Sequence, residues 1–69
     1  PIKEVFFKVK SNDEVSEISK ILDNEGKTIV NINLISEDKT LTFKLKNTRN
    51  LDRKSLNLLR KREISSTII

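Results

Sequence analysis

Two period-two segments joined by a short polar turn constrain the architecture of this chain more than any other feature. In "TIVNINLIS" (28–36) Val30, Ile32 and Leu34 alternate with Asn31 and Asn33; in "TLTFKLK" (40–46) Leu41, Phe43 and Leu45 alternate with Thr42, Lys44 and Lys46. Successive strand side chains point to opposite faces, so each segment has one apolar face, and the "EDK" (37–39) between them predicts a hairpin.

A third alternating segment, "KEVFFKVK" (3–10), sets Val5, Phe7 and Val9 against Lys8 and Lys10, with Phe6 interrupting the polar side. Next comes "SNDE" (11–14), a Ser three residues before a Glu. That spacing forms a capping box, and the acids fall in the first turn where the helix dipole favours them. Val15, Ile18, Ile21 and Leu22 then share one helical stripe to about Asn24, and Gly26, the sole glycine, is expected as a left-handed C-terminal cap. After "NTRN" (47–50), Asn50 or Asp52 can cap a second helix running to about Arg62, with Leu51, Leu58 and Leu59 on its apolar face and Leu56 flanking. The β-rich "ISSTII" (64–69) closes the order β-α-β-β-α-β.

In so few residues that order predicts an α+β fold of the split βαβ kind: a four-stranded antiparallel sheet with both helices on one face, in a single domain spanning 1–69. Phe7, Ile18, Ile32, Phe43 and Leu59 are expected to meet in its core. A chain of 69 residues buries only about 60% of its unfolded surface, so its stability is thin.

Composition removes most chemistry. The chain has no cysteine and no histidine, which excludes disulfides, thiol nucleophiles, imidazole acid/base steps and the usual zinc ligand sets. Its acids read as helix-start residues (Asp13, Glu14, Glu17) or turn residues (Glu37, Asp38), and a lone glycine cannot build a phosphate loop. No catalytic residue, cofactor, metal or small-molecule ligand is expected. Apolar runs of three residues are far short of the roughly 20 a membrane span needs; the lack of cysteine and of a secretory segment points to the cytoplasm. A chain that starts at Pro1 and contains no methionine is expected to be a fragment of a larger protein.

Charge is divided between the two halves. Residues 1–38 carry five Lys/Arg against eight Asp/Glu, and residues 39–69 carry nine against two. The basic excess gathers on the second helix, where Arg53, Lys54, Arg60 and Lys61 surround Leu56 as the charged rim of a protein-docking surface would. On the sheet face away from the helices, Phe6, Ile29, Ile35 and Ile69 are expected to leave apolar surface for a partner or for the rest of the parent chain. Phe6 also half-matches the aromatic platform of RNA-recognition sheets, but the facing strand offers Thr40, Thr42 and Lys44 in place of a second ring. Weak, salt-sensitive nucleic-acid contact is therefore a second expectation.

The segments Val5 to Val9, Val15 to Leu22, "EGKTIVNINL", "LTFKLK", "LDRKSLNLL" and "ISSTII" together resemble the extreme C-terminal domain of the bacterial replicative DNA polymerase III alpha subunit. The resemblance covers nearly the whole chain and rests on hydrophobic spacing and one glycine. It implies a non-catalytic domain that tethers a DNA-directed DNA polymerase to the replisome by docking on the clamp-loader tau subunit, the polymerase chemistry lying upstream. The Lys/Arg-rich second helix departs from that family's pattern. A small-molecule regulatory module of ACT type shares the element order and is the alternative, although "KSNDE" (10–14) lacks the glycine-rich turn such modules use.

Overall fold

The computed structural model describes residues 2–69. Strand β1 (Glu4–Val9) leads into helix α1 (Asn12–Ile21), then β2 (Glu25–Ile35), β3 (Thr40–Lys44), α2 (Arg53–Lys61) and β4 (Ser65–Ile68). Both helix starts are capped by side chains: the Ser11 hydroxyl accepts from the Glu14 backbone N–H at 3.3 Å, and the Asp52 carboxylate accepts from that of Ser55 at 2.8 Å. Glu14 reaches back past the cap residue to accept from the Lys10 N–H at 2.7 Å. Asp52, not Asn50, is thus the second cap.

The sheet order is β3-β2-β1-β4. β2 and β3 form the expected antiparallel hairpin, with Ile32 opposite Phe43 and Leu34 opposite Leu41. β4 is antiparallel to β1, pairing Phe7 with Ser66 and Val5 with Ile68. The expectation of a fully antiparallel sheet is corrected at the centre, where β1 and β2 run parallel, Val5 beside Val30 and Phe7 beside Ile32. No strand is inserted between them, so β1-α1-β2 is an unsplit unit, whereas β3-α2-β4 joins the two outer strands and is split by β2 and β1. Residues 10–24, containing α1, are long enough for the crossover that parallel neighbours require. β2 also supplies Val30 and Ile32 to the core, whereas all of β3 is exposed. The longer strand that feeds the core takes the centre and the shorter, exposed one takes the edge.

One face of the sheet is covered by both helices. Val5, Phe7 and Val9 of β1, Val30 and Ile32 of β2, Ile18 and Leu22 from the α1 segment, Leu59 of α2 and Ile64 form one buried cluster. Phe43, expected there, is 39% exposed. Its register opposite Ile32 puts it on the helix-bearing side, but at the sheet edge, where the cover is incomplete. Gly26 is likewise not a left-handed cap, because among the described residues no glycine has positive φ. It lies in β2, where residues 48–50 cross it: Gly26 N–H donates to the Thr48 carbonyl, and Asn50 N–H to that of Asn24. A Cβ on Gly26 would stand 2.6 Å from the Arg49 carbonyl oxygen and closer still to the Asn50 backbone. Close approach of two backbones is what demands glycine here.

α2 ends in a left-handed residue, Glu63, at φ 61°. The Glu63 N–H donates to Arg60 and the Ile64 N–H to Leu59, while Ile64 and Leu59 are both buried. These are the two hydrogen bonds and the apolar contact of a Schellman cap, with glutamate where glycine is usual.

Candidate docking site

α2 turns Leu59 into the core and packs Leu56 against it, as does Leu51 just ahead of the helix. The expected roles of Leu56 and Leu58 are thereby exchanged. Leu56 lies three residues before Leu59 and shares its face, whereas Leu58 is rotated about 100° away and is 39% exposed. Around Leu58 a shallow cleft is lined by Arg53, Lys54, Asn57 and Lys61. The spacings 53/57/61 and 54/58 place these side chains on one helix surface. α2 has no acidic residue between Arg53 and Lys61, so this face joins an apolar centre to a net positive rim.

Arg60 does not join that group. It lines a separate depression with Glu63, Ile64, Ser65 and Ser66, between the end of α2 and β4. Arg62 is engaged with α1, its Nε 3.3 Å from a Glu17 carboxylate oxygen. At the opposite end of α2 the Asp52 carboxyl is held below its ordinary range, chiefly by the backbone N–H of Ser55 and also by its side chain.

The other expected contact residues lie on the far side of the sheet. Phe6 stands in register with Asn31 and Thr67, Ile29 with Glu4, and Ile35 with Thr40. Ile29 and Ile35 are six residues apart on one strand, roughly 20 Å, and Phe6, Ile29 and Ile35 are each half-buried. They do not merge with the α2 cleft, which is on the helix-bearing face. Phe7 and Phe43, the remaining aromatics, point to the helix side, so Phe6 has no second ring on the open face. Asn33 is occupied in accepting from the Thr42 hydroxyl at 2.9 Å. Among the described residues no three His, Cys, Asp or Glu converge on a metal-sized site, and no helix is long and apolar enough to cross a membrane.

Comparison with models of protein families, with curated proteins and with solved structures gives no match. The site is therefore read from its own geometry.

Proposed function

We propose that this chain is a non-catalytic docking domain from the C-terminal end of a bacterial replicative DNA polymerase III alpha subunit, tethering the polymerase to the clamp-loader tau subunit during DNA replication. The observation that carries the docking role is Leu58, 39% exposed within the basic cleft of Arg53, Lys54, Asn57 and Lys61. An apolar anchor inside a ring of like charge suits an acidic partner: the charges steer the encounter and the buried anchor sets residence time. The polymerase and its tau partner enter through the resemblance in strand, helix and hairpin spacing, and the mechanism asks for no chemistry from the domain itself.

The test is a binding titration, with kinetics, of the chain and its preceding domain against tau. Lys54→Glu with Lys61→Glu is expected to slow association and weaken its salt dependence, and Leu58→Ala to speed dissociation. No association by the native sequence, or unchanged kinetics in the charge reversal, would defeat the reading.

A further inference from the structure

The β2–β3 register fixes which backbone groups of β3 are free. The Leu45 N–H donates to Val30 and the Ser36 N–H to Lys39; alternation in an antiparallel ladder then turns Leu41, Phe43 and Leu45 toward β2. The N–H and C=O groups of Thr40, Thr42 and Lys44 point away from the sheet, and β3 is the end strand. On the helix-bearing side of this open edge Leu41 and Phe43 are 51% and 39% exposed.

We propose that a second copy of this chain pairs with β3 through its own β3, antiparallel about a two-fold axis at Thr42, to make one continuous eight-stranded sheet. This register is self-complementary. Thr42 exchanges both hydrogen bonds with Thr42 of the second copy, and Thr40 does so with Lys44. Leu41 falls opposite Phe43 of the second copy in the non-hydrogen-bonded position, where side chains approach most closely. The two-fold makes that contact twice, so all four exposed apolar side chains are covered together, on the side that carries the helices. Charges are compatible with the same alignment, since each Lys44 faces Thr40 of the second copy. The two Lys44 side chains are offset by four residues, about 13 Å, beyond the screening length of about 8 Å in physiological salt. A register shifted by two residues toward the strand end would set Lys44 against Thr42 and Phe43 against Phe43 of the second copy, but would turn the exposed Leu41 to Leu45, which is already half-buried; in that register Phe43→Cys alone would form the faster disulfide. The proposal is independent of the α2 cleft, which lies elsewhere on the molecule.

The chain has no cysteine, so introduced thiols report on register directly. Leu41→Cys and Phe43→Cys chains, mixed and oxidised, are expected to form a mixed disulfide far faster than either forms one alone. By sedimentation equilibrium the native chain is expected to dimerise, with Leu41→Glu weakening the dimer at least roughly tenfold. Thr42→Pro removes an outward N–H and leaves the backbone ladder to β2 in place, giving up only the exposed side-chain bond to Asn33, and is expected to give a monomer with an unchanged circular dichroism spectrum; Thr42→Val, which loses that side-chain bond but keeps the N–H, is expected to dimerise. A native chain that remains monomeric at every concentration, including one that takes up an extended peptide along β3 instead, overturns the proposal. So does equal disulfide formation in the mixed and separate thiol chains.

Discussion

Arg49 donates a hydrogen bond from Nη1 to the carbonyl oxygen of Leu22 at 2.7 Å, linking positions 27 residues apart. Leu22 caps the C-terminus of α1, where carbonyls lack helical partners and the dipole favours a cation. Arg49 thereby fixes the strand-like segment after β3 to the end of the first helix. Hydrogen bonds to charged groups contribute about 1.5–3 kcal/mol, so Arg49→Ala should lower unfolding free energy by about that amount. A urea titration measures it, and Arg49→Lys, lacking the planar fork, should recover only part of the loss.

The left-handed Glu63 should give the reverse result. A residue with a Cβ loses roughly 1–2 kcal/mol in this conformation, and Glu63→Gly removes that cost at the expense of some unfolded-chain entropy. The variant should be more stable by about 1 kcal/mol, seen as a raised Tm, with the Schellman hydrogen bonds retained.

Phe7 and Phe43 separate depth from sidedness. Phe7 is fully buried, and Phe7→Ala should cost about 3–5 kcal/mol, enough to unfold a domain this small. Phe43→Ala should cost at most about 2 kcal/mol, measured by thermal melting at low concentration, where β3 is unpaired. Equal losses would mean that β3 is covered in the isolated chain.

Acid should loosen α2. Because hydrogen bonds from Ser55 hold the Asp52 carboxyl below its ordinary value of 3.8, the cap contributes fully above that value. Its contribution is lost as pH falls through the lower, folded value. Asp52→Asn keeps an amide oxygen as acceptor and should flatten this part of the acid limb. Stability measured from pH 6 downward in about half-unit steps checks the difference between the two curves.

The strands were legible because alternation survives in "KEVFFKVK", "TIVNINLIS" and "TLTFKLK", and both helix starts because Ser11 and Asp52 stand where their oxygens reach backbone N–H groups. Neighbour relations were not. Alternation assigns Phe43 to the same face as Ile32 but is silent on whether a helix reaches it, and it cannot say that β2 rather than β3 lies beside β1. On α2 the three leucines conceal the docking residue until the helical period is counted from Leu59, which brings Leu56 inward and Leu58 out. Glycine misled as well: Gly26 follows a helix as a cap would, yet serves a backbone crossing, and the left-handed cap is a glutamate that no propensity marks.

Asn31 has the last consequence. It projects from the uncovered face of β2, yet is only 5% exposed, and its amide donates to the Glu4 carboxylate at 2.8 Å and to the Val5 carbonyl at 3.3 Å. Sliding β2 by one residue would turn this amide beneath the helices, away from both acceptors, and expel Val30 and Ile32 into water. A single polar side chain thus acts as a proofreader of strand alignment, adding its own penalty to the exposure of Val30 and Ile32 in any pairing shifted by one residue.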